Sequence, residues 1–128
     1  PGARNLHGSR IIMIDLHVHS TYSDGTETPE ELVSRGRRIG LKAMALTDHD
    51  TMGGVGEFLG SCRAQGVIGI AGVEISAAVE EGHGGLHILG YGMNPEHARL
   101  KDSLACVLDG RAWRLGAGLG TAGTASMS

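Results

Sequence analysis

Two histidines, His17 and His19, stand two residues apart at the end of an apolar run, and Asp24 follows closely. On a strand, side chains at that spacing share a face, so both imidazoles can aim at one ion while Leu16 and Val18 turn into packing. Asp15 shares the histidine face and is expected to accept a ring N–H, fixing a tautomer behind a metal ligand. The bland alternative is a half-buried strand with two satisfied histidines, and the partners downstream decide between them. His49 lies between Asp48 and Asp50, Glu74 sits late in an apolar stretch, and His87 falls in another. Buried charges and imidazoles need partners, and a divalent cation is the economical common one. Imidazole plus carboxylate without thiolate suits Zn, Mn or Fe. Six candidate ligands, His17, His19, Asp24, His49, Glu74 and His87, exceed the needs of one catalytic ion. Two or three divalent ions are therefore expected, with Glu74 as the candidate bridge. Such a cluster serves phosphoester hydrolysis, one ion acidifying a water while its neighbour neutralises phosphoryl oxygens. His83, in a glycine loop, and His97, in an exposed first turn, are read as solvated.

The elements that must position these residues can be read from periodicity and turn signals. A β-branched strand runs from Ile11 to His19, and Ser23-Asp24-Gly25 signals a turn. Thr28-Pro29-Glu30-Glu31 opens a helix, with Thr28 as N-cap, Pro29 at N1 and Glu31 closing a capping box. Leu32, Val33 and Ile39 supply its apolar stripe, and Gly40 ends it. A second strand spans Lys42 to Thr47. A second helix is expected from Asp50 or Thr51 as cap, with Met52, Val55, Leu59 and Cys62 at helical spacing and Gly66 as its end. The third strand covers Val67 to Ser76 and the fourth Leu86 to Gly92, joined by a loop through Glu80–Gly85. Asn94-Pro95-Glu96 caps a third helix carrying Leu100, Leu104, Val107, Leu108 and Leu115. This order argues for an α/β domain with right-handed parallel crossovers, in which ligands gather at the carboxyl ends of strands. His87 departs from that rule by lying nearer the start of its strand.

Bulk properties narrow the rest. At 128 residues the chain holds one domain at most, and 41% hydrophobic residues with a net charge of −3 describe an ordinary globular chain. There is no basic excess to suggest a general nucleic-acid footprint. No run is long enough to span a bilayer and no signal-peptide pattern opens the chain, so no membrane partner and a cytoplasmic location are expected. Cys62 and Cys106 are read as reduced core cysteines. With 22 glycines and 3% aromatics, the core must be built of small aliphatic side chains. Residues 1–10 read as a disordered lead and 116–128 as a low-complexity tail, leaving 11–115 as the domain.

Taken together, Asp15-Leu16-His17-Val18-His19-Ser20, Ser23-Asp24-Gly25, Thr47-Asp48-His49-Asp50, Gly72-Val73-Glu74-Ile75-Ser76 and His87-Ile88-Leu89-Gly90-Tyr91 resemble the first motifs of the PHP (polymerase and histidinol phosphatase) superfamily. The likeness is greatest to its 3′,5′-nucleoside bisphosphate phosphatases and RNA 5′-end exonucleases. Gly110-Arg111-Ala112-Trp113-Arg114 is a weaker echo of the family's arginine-bearing helix. The resemblance implies the N-terminal part of a distorted (β/α)7 barrel, incomplete in this chain, since the family's later Asp-x-His pair has no counterpart after His87. It further implies a trinuclear site of Mn, Fe or Zn. His17 and His19 would hold one ion and Glu74 would bridge to a second held by His87. Asp24 and His49 would hold the third, and Asp15, Asp48 and Asp50 would stand behind the ligands. A metal-bound hydroxide would then attack a small phosphorylated substrate, a nucleotide or an RNA 5′ end. The competing expectation is an inert metal-binding or oligomerising partial module that self-associates through uncovered sheet edges. Amidohydrolase barrels also begin with His-x-His, but the early Asp-Gly and Thr-Asp-His-Asp stretches are not their pattern.

Overall fold

The computed structural model describes residues 11–77 and 85–108. The expected lead over 1–10, most of the Glu80–Gly85 loop with His83, Leu115, the arginines at 111 and 114 and the 116–128 tail lie outside the described residues. Seven elements follow in the order β1 (Met13–Val18), α1 (Pro29–Ile39), β2 (Leu41–Leu46), α2 (Val55–Gln65), β3 (Ile68–Ala77), β4 (Leu86–Tyr91) and α3 (Ala98–Leu108). One four-stranded sheet in the order β1-β2-β3-β4 curls into a half-barrel, so the fold is mixed α/β. Among the described residues, no helix is long and apolar enough to cross a membrane.

The local signals explain most boundaries. Thr28 Oγ1 accepts the Glu31 N–H while Glu31 accepts the Thr28 N–H, which closes the capping box, and Gly40 ends α1 at φ 92°. The apolar stripe differs from expectation at Ile39, which is 57% exposed. Gly36 takes the buried position instead, because a Cβ there would overlap the Met44 sulfur. The second helix starts at Val55 behind Gly54 with no side-chain cap, so Asp50 and Thr51 are not its caps. Asp50 spends its carboxylate on Ser76, and Thr51 Oγ1 accepts only the Gly53 N–H.

β1 with β2 and β2 with β3 pair in parallel, each joined through a helix. The expectation of parallel crossovers fails at β4, which runs antiparallel to β3 from Gly72↔Tyr91 to Ala77↔Leu86. The chain between β3 and β4 is too short for a crossover, which needs a dozen or more residues. The reversal also explains why His87 lies early in its strand. The start of β4 adjoins the end of β3, and Ser76 faces His87 across the pair.

The core sits between the sheet and α1 and α2, where Val33, Leu46, Val55, Phe58, Cys62 and Val73 are buried. Gly69 lets β3 approach α2, since a Cβ there would crowd Cys62 and Leu59. Alternation along β3 turns Glu74 to the opposite face.

Candidate metal centre

Four imidazoles converge on one buried carboxylate. His17 Nε2 and His19 Nε2 each lie 2.9 Å from Glu74 Oε2, so the pair does share a face. His49 Nδ1 stands 3.7 Å from the same oxygen, and His87 Nδ1 is 3.8 Å from Glu74 Oε1. The rings follow one another with centroid separations of 5.0 Å for His17–His19, 4.5 Å for His19–His49 and 5.5 Å for His49–His87. Asp24 closes the far side, its carboxylate 3.5 Å from His19 Nδ1 and 3.2 Å from His49 Nε2.

The backbone makes this convergence obligatory. Beyond the end of β2, Glu74 N–H donates to Asp48 O at 3.0 Å and Asp50 N–H donates to Glu74 O at 2.9 Å, forming a parallel bridge that sets His49 beside Glu74. Thr47 N–H donates to Val18 O at 2.8 Å, bringing the end of β1 alongside. The loop after β1 folds around Ser20, whose carbonyl accepts the N–H of Ser23 at 3.1 Å and of Gly25 at 2.9 Å. Gly25 must be glycine for closeness rather than for φ, because a Cβ would run into the His19 carbonyl.

The two aspartates flanking His49 bind serines in the same manner. Asp48, 1% exposed, accepts the Ser20 N–H at 2.7 Å, the Ser20 hydroxyl at 2.6 Å and the Ser23 hydroxyl at 2.6 Å. Asp50 accepts the Ser76 N–H at 2.8 Å and its hydroxyl at 2.9 Å. Asp50 holds φ at 55°, a left-handed conformation that aspartate tolerates better than most residues. Asp15 departs from expectation: it accepts the backbone N–H of His17 at 3.1 Å, because its short side chain folds back along its own strand.

Burial raises the pKa of the Glu74 carboxyl, but the His17 hydrogen bond and the charges of His49, His17 and His19 outweigh it and leave it below the ordinary value of 4.5. The carboxylate form is thus favoured where a cation would need it. One polar atom in the cluster lacks a partner: His19 Nδ1, buried, makes no hydrogen bond and faces Asp24. An orphaned buried lone pair or N–H is costly, and a cation between His19, Asp24 and His49 would satisfy it. Donor atoms of three triads, His17/His19/Glu74, His19/Asp24/His49 and His49/Glu74/His87, lie within 4.8 Å of one another. The residues therefore fit a cation cluster bound by nitrogen and oxygen, the donor set that suits Zn, Mn or Fe.

A PHP domain model matches residues 15–107, which spans every one of these donors. The chain belongs to the PHP domain family. It is 39% identical over 115 residues to a 3′,5′-nucleoside bisphosphate phosphatase of Chromobacterium violaceum, covering 88% of this chain and 40% of that protein. A 5′-3′ exoribonuclease of Haemophilus influenzae is 42% identical over 86 residues, covering 67% of this chain and 31% of that protein. The chain thus spans about two fifths or less of the length of these relatives. Among solved structures, a protein of Bifidobacterium adolescentis described as a metal-dependent phosphoesterase superposes with a TM-score of 0.70 at 34% identity, over 79% of this chain and 35% of that one. A Chromobacterium violaceum protein described as an amidohydrolase, with sulfate bound, gives a TM-score of 0.70 at 39% identity, over 86% and 39% of the two chains.

All six candidate ligands of this PHP domain thus come together, with Asp48 and Asp50 bonded to serines of the same stretches and Asp15 to the backbone of its own strand. Sequence reasoning missed Ser20, Ser23 and Ser76, whose hydroxyls bind those aspartates, and Tyr91, whose hydroxyl donates to Leu16 O at 2.7 Å. The signal for the serines was only partial: two aspartates flanking a histidine at a strand end need donors, but nothing in the sequence says which hydroxyls supply them.

Proposed function

We propose that this PHP domain carries the metal centre of a phosphoesterase that hydrolyses a phosphate ester of a small nucleotide or of an RNA 5′ end. The observation that carries the reading is the set of four imidazoles and Asp24 disposed around the buried Glu74 carboxylate. In this reading His17 and His19 would hold one ion with Glu74, Glu74 and His87 would hold a second, and Asp24 and His49 would hold a third. Divalent ions bound there would acidify a water and offset the charge of phosphoryl oxygens. The chain's own part is to fix the donors. Glu74, held between the backbone of Asp48 and Asp50, presents one carboxylate oxygen to the His17/His19 side and the other to His87. The named activities of the nucleoside bisphosphate phosphatase and exoribonuclease relatives support a nucleotide or RNA substrate. The free cysteines Cys62 and Cys106 suit a reducing, cytoplasmic setting.

The test is phosphate release from a nucleoside 3′,5′-bisphosphate in Mn²⁺, with His19→Ala as control. Release that His19→Ala abolishes is the expected result. Folded, Mn²⁺-loaded protein that releases no phosphate overturns the reading. It would favour a second one, an inert metal-binding module that pairs with a further chain. Apolar side chains left open at Ile68, Leu86, Ile88 and Leu89 favour that alternative. Elution volume measured against concentration, together with metal content, separates the two.

A further inference from the structure

The cation reading leaves a question that the hydrogen bonds answer: what holds donors from different loops in register. Asp24 is carried by the loop after β1 and His49 by the loop after β2, and no ladder pairing joins those two loops directly. Each donor of the His19/Asp24/His49 triad is, however, the chain neighbour of one member of a single hydrogen-bonded cluster, in which Ser20 and Asp48 are buried and Ser23 half-buried. His19 precedes Ser20, Asp24 follows Ser23, and His49 follows Asp48. Asp48 takes three donors from Ser20 and Ser23, at 2.6–2.7 Å. Ser20 in turn receives the N–H groups of Ser23 and Gly25 on its carbonyl, so the backbone on both sides of Asp24 is tied to a residue that Asp48 holds.

On the other side of His49, Asp50 binds the N–H and hydroxyl of Ser76, which faces His87 across the sheet. We infer that Asp48 and Asp50 are positioning residues with separate duties. The Asp48–Ser20–Ser23 clamp assembles the Asp24/His49 cation position, and the Asp50–Ser76 clamp assembles the Glu74/His87 position. The inference rests on the metal reading above and adds to it a division of labour. A carboxylate gripping both the N–H and the O–H of one serine fixes that residue's backbone and rotamer together, which a single hydrogen bond does not. The short charge-assisted bonds to the buried Asp48 are also strong ones. The side-chain bonds of the two clamps have no residue in common, and Asp48 and Asp50 meet at His49 and, through their backbones, at Glu74. Removing one clamp's hydroxyl leaves that backbone frame in place, so it should loosen its own cation position and spare the other.

The test titrates the full chain with Mn²⁺ alone and counts binding classes and their affinities. Wild type, Ser23→Ala, Ser23→Thr, Asp48→Asn and Ser76→Ala are compared, with circular dichroism confirming the fold. Ser23→Ala is the decisive variant, since it removes one hydroxyl and leaves the buried carboxylate with two donors. It is expected to weaken one Mn²⁺ class by about tenfold to a hundredfold, the range for a lost partner behind a metal ligand, with the others unmoved. Ser23→Thr, which keeps the hydroxyl, should restore that class, and Ser76→Ala should weaken a different one. If Ser23→Ala binds all classes as wild type does, or weakens all of them equally, the inference is overturned. Wild type that binds no Mn²⁺ defeats the metal reading instead. Amide exchange in the metal-free protein then still reads the clamps. Ser23→Ala must speed exchange at Ser23 and Gly25 without moving Ser76, and exchange unchanged at Gly25 overturns the division.

Discussion

β2 and β4 are six-residue strands of similar apolar content in one sheet, yet they end in opposite environments. From Ala43 to Leu46 every β2 side chain is buried, whereas Leu86, Ile88, Leu89 and Tyr91 of β4 all remain open to solvent. Composition does not separate them. Position does: β2 lies between β1 and β3 beneath α1, and among the described residues β4 is an edge strand paired with β3 alone. The donor cluster sits where the two regimes meet. Glu74, on the strand between them, draws three imidazoles from the β1–β2 side and one from β4. The covered half therefore supplies rigidity to most of the donors, and the open half supplies His87 from a strand with little burial of its own.

The comparison is tested most sharply by truncating one apolar side chain in each half. Phe58, fully buried beneath the sheet, should cost about 3–5 kcal/mol on Phe58→Ala. Leu86, 51% exposed on β4, should cost less than about 1 kcal/mol on Leu86→Ala. Urea midpoints at matched protein concentration measure both. A Leu86 cost approaching that of Phe58 would break the contrast, showing that β4 is covered in solution by a second copy.

The same contrast explains what could be read from sequence. The capping box at Thr28 and Glu31, the glycine stop at Gly40 and the His-x-His pair are local devices, and each appears where its residues indicate. β4's direction was not local information. It depends on the shortness of a connection, and a strand pattern reads alike in either sense. The convergence of His17, His19, Asp24, His49, Glu74 and His87 was legible because imidazoles and carboxylates at successive strand ends of such a fold come together. The serines that bind Asp48 and Asp50 were not, because a hydroxyl near a loop is usually a turn former, and only the fold shows which aspartate it meets. Asp15 misled for the complementary reason. Strand alternation gives a face, but a short side chain can bond its own backbone before it reaches a ring.

Cysteine chemistry offers a milder probe of the two halves. Cys62, buried under β3, has its thiol pushed up from 9.0 to about 11 by burial, which the nearby Arg63 charge only partly offsets. Below pH 9 the thiol is protonated whether the chain is folded or not. Between pH 9 and about 11 only the unfolded chain ionises it, so the stability it contributes is lost as pH rises through that window. The urea midpoint should fall across this range more steeply for wild type than for Cys62→Ala, which removes the group. Equal slopes would show that Cys62 is not shielded. Cys106 on α3 is only half-buried and should alkylate in the native state, while Cys62 waits for unfolding.

A further small effect concerns a hydrogen bond that spans the sheet from edge to edge. β1 and β4 stand first and last in the strand order, which in a flat sheet would separate them by roughly 14 Å. Tyr91 nonetheless donates its hydroxyl to Leu16 O at 2.7 Å, between Asp15 and Val18 where the β1–β2 register slips. The curl of the sheet makes that bond reachable. Tyr91→Phe keeps the ring and removes only the hydroxyl. A net loss of about 0.5–1.5 kcal/mol is typical for one hydrogen bond, and the partial exposure of this one argues for the lower end. The more telling readout is local: amide exchange at His17 and Val18 should quicken while β2, already buried, stays protected. If β1 exchange is unchanged, the curl is set wholly by the covered half, and β4 holds His87 in place without help from Tyr91.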